Sequence, residues 1–204
     1  ADKAAAWMLL MRLYLNAEVY TGTAQWQKAA EYAQKVINSD YRLYKTPTGS
    51  YSAYQKLFMG DNGESGASVE AVLPLLQQGN KTAAYGSTTF LIASTYVGDA
   101  PENGISQRWG GNRARKELVQ KFFTGTPATG TTANILAAAG DDRALFYAED
   151  RTLEIANVDA VKDFKKGYSV VKFTALKSDG TPGTDTGFAD TDFFFFRVAE
   201  AYLA

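Results

Sequence analysis

The chain has 204 residues, with 21 Lys+Arg against 22 Asp+Glu, no His and no Cys. Zero His excludes Ser-His-Asp and Cys-His mechanisms and imidazole metal sites, and zero Cys excludes thiolate nucleophiles, zinc fingers, iron–sulfur ligation and disulfides. A formal net charge of −1 speaks against nucleic-acid binding, which draws on a basic surface, and no apolar run approaches the ~18 residues of a membrane span.

Residues 2–20 read as a helix. Trp7, Leu10, Tyr14 and Ala17 recur at helical spacing, and Met8, Met11 and Leu15 form a second such line. Asp2 is the expected N-cap and Gly22 the left-handed stop. So much of this circumference is apolar that the helix needs cover on several sides. A second helix is expected over residues 26–39, with Trp26, Ala29, Ala30, Ala33, Val36 and Ile37 as its buried stripe and Thr23 as its cap. Trp7 and Trp26, both on helical stripes, are expected in the core. The short turn between the helices makes them an antiparallel pair. It resembles a tetratricopeptide (TPR) unit, with Met11 standing where that pattern has Gly.

Residues 41–62 are rich in aromatics, with a short helix expected at 53–59 and a turn at 60–63. Residues 69–75 read as a strand that Pro74 confines to an edge or a bulge. Residues 79–111 read as a long glycine-punctuated loop carrying Tyr85, Phe90, Tyr96 and Trp109, and such loops in compact domains are usually functional. Helices are expected at 113–123 and 134–139, with a flexible loop at 124–132 between them. Asp141 and Asp142 are expected to cap a segment at 143–147, followed by a strand at 168–173 and a turn at 178–183. A fourth, mostly apolar helix is expected at 193–203, with residues 190–192 as its cap and Arg197 paired to a nearby acid. Both terminal helices carry more apolar surface than one pairing covers. Either they pack on each other, or the chain is the middle of a longer helical-repeat protein; the second is the expectation.

An ordered set of markers identifies a family. It begins with Ala4-Ala5-Ala6-Trp7, Arg12-Leu13-Tyr14-Leu15-Asn16-Ala17 and Ala29-Ala30-Glu31-Tyr32-Ala33. Next come Trp109-Gly110-Gly111-Asn112-Arg113, Glu117-Leu118-Val119, Asp141-Asp142-Arg143 and Lys172-Phe173. It ends with Ala189-Asp190-Thr191-Asp192-Phe193 and Phe196-Arg197-Val198-Ala199-Glu200-Ala201-Tyr202-Leu203. In this order they resemble the SusD/RagB family of outer-membrane nutrient-binding lipoproteins.

The resemblance implies a mainly α fold: TPR-like, SusD-like helix pairs with long loops and a few short strands. It implies one SusD-like domain fragment, in which residues 1–40 are a helix pair, 41–192 a loop-rich binding region and 193–204 the start of a further TPR helix. It also implies a protein of the cell surface that binds oligosaccharide or polysaccharide without catalysis. The glycan would be delivered to a TonB-dependent, SusC-like outer-membrane transporter. The family's lipid-anchor Cys and signal peptide are absent from this chain, which therefore reads as an internal fragment, touching the membrane only through an anchor it does not carry. No cofactor, metal or nucleic-acid partner is implied. The alternative is a TPR-like scaffold whose main role is protein–protein interaction with the transporter.

Sugar recognition needs flat apolar faces for pyranose C–H patches and planar polar side chains for hydroxyl pairs. Residues 79–112 offer both. Tyr85, Tyr96 and Trp109 are the candidate platforms, and Asn80, Gln107, Arg108 and Asn112 the candidate hydrogen-bonders. The family's aromatics from this part of the chain make Tyr85 and Trp109 the first choice. Glycosidase chemistry would need two carboxylates facing each other across a substrate, which the neighbouring pairs Glu149/Asp150 and Asp190/Asp192 do not naturally supply. Asp185, Asp190 and Asp192 lack the regular spacing of an EF-hand calcium loop.

Overall fold

The computed structural model describes residues 2–98, 102–157 and 159–204. Helix α1 (Lys3–Leu15) starts as its sequence asks: the Asp2 carboxylate accepts the Ala5 amide at 3.0 Å, satisfying an orphan donor of the first turn. It does not continue to residue 20. Asn16 Nδ2 donates to the Arg12 carbonyl at 2.9 Å, a local alternative to the helical ladder. A separate short helix, α2 (Ala17–Thr21), follows and is closed by Gly22 at φ +73°.

Helix α3 (Trp26–Ile37) runs back along α1. The Tyr41 hydroxyl, just past its end, donates to Asp2 at 2.8 Å, while Tyr32 stacks on Tyr14 with centroids 5.6 Å apart. Its buried line is Ala29, Ala33 and Val36, and the small alanines let Met8 and Met11 of α1 pack closely. The expected burial of Trp26 and Ala30 and the expected Thr23 cap fail here. Trp26 is 62% exposed, because it occupies the helix's first position on the flank shared with exposed Ala30. Thr23 is not the cap: Gln25 holds that position and makes no side-chain bond to the helix.

Helix α4 (Ala53–Lys56) opens with a capping box, in which Ser52 Oγ accepts the Gln55 amide and Gln55 Oε1 accepts the Ser52 amide. A tight turn at Ala67–Glu70 leads into β1 (Ala71–Leu75). The stretch expected as one long loop holds two helices, α5 (Gly79–Thr82) and α6 (Ser87–Ala93); its residues 99–101 lie outside those described. The α6 sequence, with one Ser, two Thr, one Phe and one Ile among its seven residues, has little intrinsic helix preference. Tertiary contacts hold it instead. Thr88, Thr89, Ile92 and Ala93 are buried, Thr88 Oγ1 donates to the Thr191 carbonyl at 2.6 Å, and Thr89 Oγ1 accepts the Ala189 amide at 3.0 Å.

The third expected helix is also shorter. Arg113–Ala114 forms strand β2, and α7 (Lys116–Val119) follows, continued by a tight turn to Phe122. Helix α8 (Thr132–Ala139) agrees with expectation and is capped by Thr131 and Gly140. Strands β3 (Phe146–Tyr147) and β4 (Tyr168–Val170) complete an antiparallel sheet in the order β2-β4-β3. The turn at 178–183 is present, closed by the Lys177 amide on the Thr181 carbonyl at 2.8 Å.

The largest correction is at the end. Phe193–Arg197 is strand β5, not helix; its four phenylalanines suit a pleated surface. It pairs antiparallel with β1, with register shifts on both sides of Leu73, beside the Pro74 that lacks an amide donor. Residues 190–192 therefore cap no fourth helix. Only α9 (Val198–Ala201) is helical, and Arg197 pairs with Glu70 at 3.0 Å, as expected. Phe196, Val198 and Ala201 join α1, α3 and Val72 in one core. Arg12 binds Glu200, with Nη2 2.7 Å from Oε2, and its guanidinium lies over the Phe196 ring at 4.4 Å. The two ends of the chain thus pack on each other. Leu9, Leu13, Tyr202 and Leu203 nonetheless remain exposed on this layer.

Candidate glycan-binding site

The candidate platform is built around α6. Its last carbonyls are satisfied by a returning strip of chain: the Trp109 amide donates to the Ala93 carbonyl at 2.8 Å, Gly110 to Tyr96 at 2.8 Å and Asn112 to Ser94 at 2.8 Å. Gly110 must be glycine. It sits at φ +64°, and a Cβ there would come within 2.9 Å of the Phe164 ring and 2.7 Å of Val97. This anchoring fixes Trp109 against Phe90 of α6, with ring centroids 6.2 Å apart.

Tyr85 comes from the connection between α5 and α6. The residues around it, Ala83 at φ +34° and Ser87 at φ +55°, are non-glycine residues in left-handed conformations, so strain is stored beside the ring they present. Tyr85 lies 5.9 Å from Trp109 at 51° between ring planes, and 5.0 Å from Phe188. Tyr85 is 60% exposed and Trp109 38%, so both keep free ring surface. Phe188 is carried on a loop shaped by Asp185, whose Oδ1 accepts the Gly187 and Phe188 amides at 2.7 and 3.1 Å. Asp190 clamps the same region by accepting the Gly79 and Thr184 amides, and Asp192 accepts the Gln77 amide at 2.7 Å. These carboxylates are occupied in shaping loops. Burial pushes the Asp192 carboxyl above the usual range, with Glu64 and Asp190 adding like charge.

The predicted polar residues separate. Gln107 Oε1 accepts the Trp109 indole N–H at 3.0 Å, which fixes the ring's orientation. Asn112 is exposed, with its Nδ2 on Ser94 Oγ at 2.9 Å and its carbonyl oxygen open to a ligand. Arg108 donates to the Val97 carbonyl at 3.2 Å and pairs with Glu102 at 3.3 Å. Asn80 is exposed on α5, its amide 3.4 Å from Thr184 Oγ1. Tyr96 does not belong to the platform. It is 3% exposed and packs in a core with Ile92, Ile105 and Leu145, leaving no ring face for stacking, and burial raises its phenol pKa. Phe188 was missed because its partner lies about a hundred residues away in sequence and nothing local marks it.

No protein-family profile matches the chain. A curated relative does: the starch-binding protein SusD of Bacteroides thetaiotaomicron is 39% identical over an alignment of 236 residues, covering 100% of this chain and 41% of SusD. Two solved structures share the fold. A SusD superfamily protein from Parabacteroides distasonis gives a TM-score of 0.59 at 16% identity, over 100% of this chain and 38% of that one. A SusD-like protein from Bacteroides fragilis gives 0.58 at 20% identity, over 100% of this chain and 42% of that one. The chain is thus similar over its whole length to SusD and shares its fold with two solved SusD-like structures, and it spans about two fifths of the length of the curated relative it matches.

Proposed function

We propose that this chain carries a non-catalytic glycan-binding surface, with Tyr85 and Trp109 as stacking platforms and Gln107 and Asn112 as hydrogen-bonding neighbours. The observation that carries it is the pair of exposed, anchored rings 5.9 Å apart. The 51° between their planes suits a chain that curves, and an α-glucan curves where a β-1,4-glucan runs flat. A relative named as a starch-binding protein supports the same class. Sugar sites of this open kind stay wet, so affinity is expected to be modest.

In this reading the α1–α3 pair is a TPR-like unit of the scaffold, and residues 1–204 act as one SusD-like domain piece. The protein works at the outer-membrane surface and hands its glycan to a TonB-dependent transporter. Attachment through a lipid anchor belongs to this same reading; among the described residues no helix is long and apolar enough to cross a membrane. A second reading, a scaffold that docks only to the transporter, draws support from exposed Leu9, Leu13, Tyr202 and Leu203. Calorimetric titration with a linear maltooligosaccharide and a cellooligosaccharide of equal length separates the two. The glycan reading predicts saturable binding of the maltooligosaccharide and at least tenfold weaker binding of the flat chain. Binding of neither glycan favours the scaffold.

A further inference from the structure

A cavity of about 380 Å³ shares no residue with the Tyr85–Trp109 platform. Leu118, Phe122, Leu145 and Val170 give it apolar walls. Its charged lining has one sign: Lys121, Arg143 and Lys172, with no carboxylate. Asp141 stands beside Arg143, but it is committed there through contacts of 2.9 and 2.6 Å.

Lys172 is the unusual member. It is half-buried, and among the described residues its ammonium has neither a hydrogen-bond nor an ion-pair partner. Its company is aromatic: Phe58 at 4.3 Å, Tyr54 at 5.7 Å and Phe173 at 6.0 Å from ring centroids. Ring faces offset part of the cost of desolvating an ammonium, but they do not neutralise it. Arg197 lies over the same Phe58 ring at 5.2 Å and adds like charge, its own partner being Glu70. Burial, with Arg197 second, brings the Lys172 pKa down to about 8.

We propose that this cavity binds a small organic anion, a carboxylate on an apolar body, with Lys172 as its counter-charge and Leu118, Phe122, Leu145 and Val170 around the body. An inorganic anion would leave the apolar walls unfilled. A neutral apolar molecule would leave Lys172 unpaired. The volume falls within the range of small-molecule sites and accommodates an arylalkyl acid.

The test is calorimetric titration of the protein with 3-phenylpropionate and with its neutral match, 3-phenylpropanol, at pH 7. Saturable binding of the acid is expected, at least tenfold tighter than the alcohol. Lys172→Met should lose about tenfold in affinity for the acid and leave the alcohol unchanged. Tyr85→Ala should leave both unchanged, which keeps this site independent of the glycan reading. Should Lys172→Met fail to fold, the unaltered protein is titrated at pH 7 and pH 10, and acid binding should weaken at the higher pH as the counter-charge is lost. Equal affinity for acid and alcohol, no saturable acid binding, or acid binding indifferent to both Lys172→Met and pH overturns the proposal.

Discussion

Single residues govern the candidate site in two ways, by presenting ring faces and by leaving room for backbone. Gly79 does the second. A Cβ at that position would stand 2.3 Å from the Phe188 carbonyl oxygen and 2.9 Å from Asp185 Cβ, so the loop carrying Phe188 closes on α5 only over a glycine. Gly79→Ala is therefore expected to destabilise by about 1–3 kcal/mol in denaturant unfolding, and to weaken glycan binding because Phe188 supports Tyr85. Lys172 gives a pH signature. Its folded pKa of about 8 lies below the ordinary 10.5, so between those values the unfolded chain binds more protons than the folded one. Stability should then rise with pH across that window, by about 1–2 kcal/mol after allowance for solvent screening, and the rise should vanish in Lys172→Met. The exposure of Tyr85 and Trp109 agrees with a local signal, an aromatic in a glycine-rich segment. The inward turn of Tyr96 was not legible in the sequence, because its burial is decided by Leu145, Ile105 and Val171, all distant in sequence or outside its own element.

Apart from the early end of α1, helices with a strong periodic pattern formed where the sequence placed them, and elements held by distant contacts did not. Helix α3 follows its alanine stripe, and α8 follows its Thr131 cap and Gly140 stop. Helix α6 has no such local support and stands on bonds to residues 189 and 191. Strand β5 was mistaken for helix because an unbroken apolar run has no period, and only its pairing with β1 decides. Met8 sits fully buried between α1, α3 and β5, in the core that joins the chain's two ends. Met8→Ala should cost about 2–5 kcal/mol by thermal or denaturant unfolding, since the gap opens among side chains from three elements. Arg12→Ala should cost less, about 1 kcal/mol, because the Glu200 pair it loses is about one-third exposed. Nothing local in the sequence marks the partner of Arg12, which is contributed from the other end of the chain.

The whole molecule presents two different surfaces. One is a helical layer with exposed Leu9, Leu13, Tyr202 and Leu203, and the other carries the tilted rings of Tyr85 and Trp109. The fold class was legible because its markers occur in family order along the chain, and the solved SusD-like structures share that fold. Strands β1 and β5 contribute to the helical layer's core while their flanks shape the candidate site, a division that no local feature of the sequence marks. Replacing exposed Leu13 and Leu203 with Glu should leave glycan affinity unchanged in the same calorimetric titration, if the two surfaces work separately. The central claim, that the paired rings bind glycan, is tested most directly by titrating a linear maltooligosaccharide into the protein and into its Tyr85→Ala/Trp109→Ala variant, with folding checked by circular dichroism. The account predicts saturable binding to the unaltered protein and a loss of at least tenfold, about 1.4 kcal/mol or more, in a variant that remains folded. Equal affinity in the two folded proteins would contradict it.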